Sequence, residues 1–124
     1  MRKQYRMKIL IVDDAPFIRK AVEDVLDAYG HEVYEATNGV DALGRYKEVD
    51  PDVVLMDILM PTQDGISATK NILKWDHTAK IIVITAVGKK GLETECIKAG
   101  AKHFIEKPFK IKELLHTIEQ VADQ

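Results

Sequence analysis

Three acids, a hydroxyl and an ammonium stand in this sequence where a fold could gather them. Ile9–Val12 runs into Asp13 and Asp14, Val53–Met56 into Asp57, and Ile81–Ile84 into Thr85, while Phe104 and Ile105 lead past Glu106 to Lys107 and Pro108. In a parallel α/β sheet the carboxyl ends of the strands share one edge, and ligands bind in the crevice outside it. Three carboxylates meeting there repel one another, and their desolvation adds to the cost. A fold that gathers them therefore supplies a cation. Mg2+ suits the set, because it takes oxygen ligands, one or two carboxylates, retained waters and phosphate oxygens. Lys107 adds a mobile point charge and Thr85 a hydroxyl donor. Phosphoryl transfer asks a protein mainly for positioning and charge stabilisation, and a carboxylate can be its nucleophile, forming an acyl phosphate. Asp57 is the candidate nucleophile: it stands alone after its run, whereas Asp13 and Asp14 pair as metal holders.

Taken singly, each group has a plainer role. An Asp pair after a strand is often a helix N-cap and its neighbour. A lone Asp there is a turn residue, Thr is a good strand former, and Lys-Pro is an ordinary turn. Placed together at the ends of four strand–helix units, the plain readings require a coincidence.

The elements that must position these groups follow from the apolar periodicity. Pro16–Tyr29 carries Ile18, Val22, Val25, Leu26 and Tyr29 as a helical stripe, with Pro16 in its first turn and Gly30 at its end. Glu32–Ala36 reads as a weaker strand, and Asn38-Gly39 opens a helix with Val40, Leu43 and Tyr46. Asp52–Met56 is the third strand, Pro61–Gly65 a loop, Ile66–Trp75 a helix and Lys80–Ile84 the fourth strand. Residues 88–99 read as a loop and a helix of low apolar content. His103–Glu106 is the last strand, and Lys110–Ala122 a helix with Ile111, Leu114, Leu115, Ile118 and Val121 on one stripe. Strand and helix alternating five times predict the α/β class, a parallel sheet covered on both faces with right-handed crossovers. The expected order is 2-1-3-4-5, a flavodoxin-like three-layer sandwich, with the polar last strand at an edge.

The bulk numbers narrow the function. A length of 124 residues is one ordinary domain. A net charge of −2 offers no basis for nucleic-acid binding. The single cysteine, Cys96, is expected to be a small core filler, and its isolation fits a reducing, cytoplasmic setting. No apolar run approaches the roughly 20 residues of a membrane span. The basic start has no apolar signal core behind it, so residues 1–7 are read as a short tail and 8–124 as the domain. His31, His77, His103 and His116 show no ligand spacing, and Gly88-Lys89-Lys90-Gly91 lacks the spacing of a P-loop.

The segments ILIVDDAPFIR, PDVVLMDILMPTQDG, IIVITA and KAGAKHFIEKPF together resemble a response-regulator receiver domain, from Met7 onward. VDDAPFIR and AGAKHFIEKPF are most similar to the single-domain chemotaxis regulators. The resemblance implies Asp57 as phosphoacceptor, Mg2+ held by Asp14 directly and by Asp13 through water, and the backbone carbonyl of Leu59 as a further ligand. It implies that Thr85 and Lys107 hold the phosphoryl oxygens and that Lys107-Pro108 is cis. On phosphorylation Thr85 would move toward the phosphate and Phe104 into the space left, with small Ala86 keeping the path open. The readout face would be residues 89–99, the last strand and residues 110–122. The implied donor is a histidine kinase. The implied output is binding to a protein target, a motor switch component or an adaptor, by a monomer or a weak phosphorylation-dependent dimer. Such a protein catalyses its own phosphorylation and dephosphorylation and turns over no separate substrate.

Two features depart from many relatives. Phe104 has no hydroxyl, and Leu59 and Val87 are apolar, which leads us to expect hindered water attack and slow loss of phosphate. Other functions fit less well. A flavin carrier of this fold wants a Ser/Thr/Gly-rich first loop of donors, against Asp-Asp-Ala-Pro-Phe here. An aspartate-nucleophile phosphatase places its acids as Asp-x-Asp, and here they are adjacent. A non-phosphorylated pseudo-receiver would not need all five site residues. A phosphorelay intermediate or a stand-alone adaptor is the alternative to a motility role.

Overall fold

The computed structural model describes residues 6–58, 64–86 and 91–124. Along the described chain run β1 (Lys8–Val12), α1 (Pro16–Ala28), β2 (Glu32–Ala36), α2 (Gly39–Val49), β3 (Val53–Asp57), α3 (Gly65–Trp75), β4 (Ile81–Ala86), α4 (Leu92–Lys98), β5 (His103–Lys107) and α5 (Ile111–Ala122). All strand pairs are parallel, and the sheet order is β2-β1-β3-β4-β5. The α/β sandwich predicted from the alternation is therefore present, with β5 at an edge.

Alternation along each strand divides the core into two layers. Leu10, Val12, Val54, Met56, Ile81 and Val83 pack against Ala42, Tyr46, Ala68, Ile72 and Cys96 of α2, α3 and α4. The intervening Ile9, Ile11, Val53, Leu55, Ile82 and Ile84 pack against Val22 and Leu26 of α1 and Leu114, Ile118 and Val121 of α5. The central strands are buried on both sides, which is why they read as continuous apolar runs.

Register carries the chemistry to one edge. Val12 lies opposite Met56, Asp57 opposite Ile84, and Ala86 opposite Lys107. Asp13, the residue after Val12, therefore comes beside Asp57, and Thr85 follows one step beyond on β4.

Local chemistry sets the helix starts. Asn38 accepts from the Asp41 N–H at 2.9 Å, and Asp64 from the Ser67 N–H at 2.8 Å, as N-cap side chains do. Pro16 occupies the first turn of α1, and Gly30 follows the helix at φ 89°. The predicted stripes need adjustment. Ile18, Tyr29 and Val40 are 40%, 51% and 60% exposed; α1 buries Val22 and Leu26, and α2 buries Ala42, Tyr46 and Val49, with the predicted Leu43 packed half-buried beside them. The Tyr46 hydroxyl donates to Asp76 at 2.8 Å, so the buried ring keeps its polar end satisfied. Ile111 is likewise exposed rather than part of the α5 seam. No helix among the described residues is long and apolar enough to cross a membrane.

Candidate metal centre

Asp13, Asp14 and Asp57 each place a carboxylate oxygen within 4.8 Å of the others. Asp13 and Asp57 are buried, and Asp14 is exposed. The β1–α1 loop and the end of β3 supply them, so residues more than forty apart converge because β1 and β3 are hydrogen-bonded neighbours. Lys107, the last residue of β5, brings its Nζ to 3.8 Å from Asp13 Oδ2. The other Asp13 oxygen accepts from the Ala15 N–H at 2.8 Å. The Asp13 side chain is thus held from two directions, with one oxygen committed to its own loop.

Thr85 is in phase with Ile81 and Val83 and is fully buried. Its Oγ1 has no hydrogen-bond partner among the described residues. Leaving a buried hydroxyl unsatisfied costs about 1–3 kcal/mol. Phe104, on the neighbouring strand, packs half-buried against the same layer. The Lys107–Pro108 peptide is cis.

A donor set of three carboxylates with no histidine or thiolate suits a hard cation such as Mg2+ rather than zinc. The exposed Asp14 leaves an opening for the waters that Mg2+ retains. Beneath the cluster lies a cavity of about 20 Å3, lined in part by Ile11, Arg19, Asp57, Lys107 and Phe109; it has room for about one water.

All of the acids, with Thr85 and Lys107, meet at the carboxyl edge. Leu59, whose carbonyl was expected among the ligands, lies outside the described residues, as do Val87, the side chain of Ala86 and the first residues of the expected 89–99 helix. Two contributors were not singled out from the sequence. One is Gly65, which donates its N–H to Ile58 O at 2.9 Å. A Cβ there would overlap the Asp57 carbonyl oxygen and come within 2.8 Å of Ile58 Cα, so α3 meets the end of β3 only through a glycine. The other is Arg19, whose Nη1 donates to the Asp13 carbonyl at 2.8 Å. Both lie inside segments that carry the resemblance, yet neither residue type announces such a contact.

Two of the histidines take up backbone contacts. His103 Nδ1 accepts from the N–H of Phe104 at 3.0 Å, and His31 Nδ1 from that of Met7 at 3.2 Å. Burial pushes the Cys96 thiol up to about 11, which suppresses the reactive thiolate.

Comparison with known proteins identifies the family. Residues 9–119 match the family model of the response regulator receiver domain. The chain is 48% identical over 116 residues to the chemotaxis protein CheY of Thermotoga maritima, covering 93% of this chain and 97% of that one. It is 47% identical over 117 residues to CheY of Bacillus subtilis, covering 94% and 98%. Among solved structures, the CheX–CheY–BeF3–Mg2+ complex from Borrelia burgdorferi superposes with a TM-score of 0.87 at 36% identity, over 92% of this chain and 87% of that one.

Proposed function

The chain belongs to the response-regulator receiver family, and from that premise we propose that it accepts a phosphoryl group on Asp57 from a phosphohistidine of a histidine kinase and passes the signal on by binding a partner protein in chemotaxis. The observation that carries the reading is the convergence of Asp13, Asp14 and Asp57 within 4.8 Å, with Lys107 alongside. The relatives of matching length named CheY support the chemotaxis role.

An Asp57 carboxylate oxygen attacks the phosphorus. The new O–P bond forms as the bond to the donor's imidazole nitrogen breaks, and that nitrogen keeps the electron pair and takes up a proton. Asp13 and Asp14 would hold Mg2+ together with Asp57, and the ion when bound would neutralise charge on the phosphoryl oxygens. Lys107 adds a second positive charge on the β5 side. Thr85 donates its unsatisfied hydroxyl to a phosphoryl oxygen, which gives the phosphorylated state a bond the free state lacks. Moving that hydroxyl opens space in the layer shared with Phe104, and the outward consequence falls on α4, β5 and α5. A modest bias between two pre-existing states suffices for such a switch. Catalysis is confined to the protein's own carboxyl group, with no separate substrate turned over, and the setting is cytoplasmic.

Capture from lysate on the immobilised protein tests the whole reading, with and without beryllium fluoride and Mg2+. A partner retained only with the phosphate mimic, and lost with Asp57→Ala, is the expected result. A partner held equally in both conditions would contradict it.

A further inference from the structure

We propose that Arg19 is a positioning residue for the cation site, holding the Asp13–Asp14 loop against β2 so that its carboxylates stay converged on Asp57. The inference rests on the reading of that cluster as a Mg2+ site.

The loop needs an external brace. Its N-cap is Ala15, which offers no side-chain bond, and Pro16 follows with no N–H to give. Within the loop, Asp13 Oδ1 accepts from Ala15, and the Asp13 N–H reaches Ala36 O at 3.2 Å. Arg19 then reaches back from the first turn of α1. Its Nη1 donates to Asp13 O at 2.8 Å, and its Nε donates to Glu35 Oε1 of β2 at 2.7 Å. The Arg19 side chain is only 14% exposed, so although Glu35 meets it from the solvent side at 42%, the guanidinium itself lies under the loop. A guanidinium presents its donors in a rigid fork, so the two bonds fix loop, helix and strand to one another. The Arg19 guanidinium holds the Glu35 carboxyl below the usual range, which keeps the anchor charged.

The sign of the effect separates positioning from charge. Removing a positive group near three carboxylates would, on Coulomb grounds alone, tighten cation binding. Loss of positioning weakens it instead. Groups that orient ligands from behind typically contribute 10–100-fold to metal affinity.

Calorimetric titration with Mg2+ of the wild type, Arg19→Ala, Arg19→Lys and Arg45→Ala tests this. Arg45 is the matched control: it bonds the Glu35 carbonyl at 2.9 Å and stacks over Tyr34, so its loss loosens β2 without touching Asp13. Both Arg19 variants are expected to raise the Kd for Mg2+ about 10-fold, the lysine because it keeps the charge but not the fork. Arg45→Ala should leave it within about twofold. An Arg19→Ala protein that binds Mg2+ as tightly as the wild type, or more tightly, overturns the proposal, as does equal weakening by Arg45→Ala. If Arg19→Ala fails to fold, Glu35→Ala frees the guanidinium without removing it, and unchanged affinity there is equally decisive against it. Absence of Mg2+ binding by the wild type would instead sink the underlying reading and this inference with it.

Discussion

Asp57 and Thr85 differ in what the fold does for them. Asp57 is placed among charges that anticipate a cation, whereas Thr85 is placed at a cost. That cost makes a prediction at the level of one atom. Thr85→Val removes the orphan hydroxyl and keeps the shape, so it should stabilise the protein by about 1 kcal/mol in urea unfolding, while the partner response to beryllium fluoride falls. A loss of stability of that size would mean the hydroxyl is satisfied after all. His31 offers a second residue-scale test. Burial holds its imidazole below the usual 6.5, partly offset by Glu119. The neutral ring accepts the Met7 N–H and cannot do so at Nδ1 once protonated. The unfolded chain therefore binds the proton more readily, and His31 contributes stability that is fully present above about pH 6.5 and lost as the pH falls through and below it. Denaturation at pH 7.5 and 5.5 should show a smaller drop for His31→Gln than for the wild type; equal drops would remove His31 from the account.

Elements were the most legible scale, and their ends the least. The sequence reading ends β3 at Met56, but Asp52 turns its carboxylate to the Lys8 N–H at 2.8 Å and leaves the strand, which instead runs Val53–Asp57. Likewise β4 continues through Ala86, because Thr85 and Ala86 find partners in Glu106 and Lys107. Such shifts come from pairing between distant segments, which local periodicity does not record. The acids, Thr85 and Lys107 were legible since each ends an apolar run. Arg19 was not, since a charged residue on a helix is usually a solvated one and its partners at 13 and 35 meet it only in the folded chain. Two glycines test how elements meet. A Cβ at Gly65 strikes backbone at the end of β3, whereas one at Gly44 within α2 meets nothing within 4 Å. Gly65→Ala should destabilise by about 1–3 kcal/mol and weaken Mg2+ binding, and Gly44→Ala should stabilise by about 0.5–1 kcal/mol. Thermal unfolding of the pair checks this, and the same sign for both would contradict the close approach of α3 to β3.

At the scale of the molecule, the sheet order does the gathering. Placing β1 and β3 side by side at its centre, with β4 and then β5 beyond, converts a separation of more than ninety residues between Asp13 and Lys107 into 3.8 Å. Two apolar layers secure that order, so the chemistry is carried by loops and strand ends on a rigid base. If this convergence makes Asp57 a phosphoacceptor, the protein should gain the mass of one phosphoryl group when incubated with acetyl phosphate and Mg2+ and weighed intact by mass spectrometry under conditions that preserve acyl phosphates. The account predicts that this adduct forms on the wild type, maps to Asp57, and is absent without Mg2+ and in Asp57→Asn. An adduct that persists in Asp57→Asn, or a wild type that gains no mass, would contradict it.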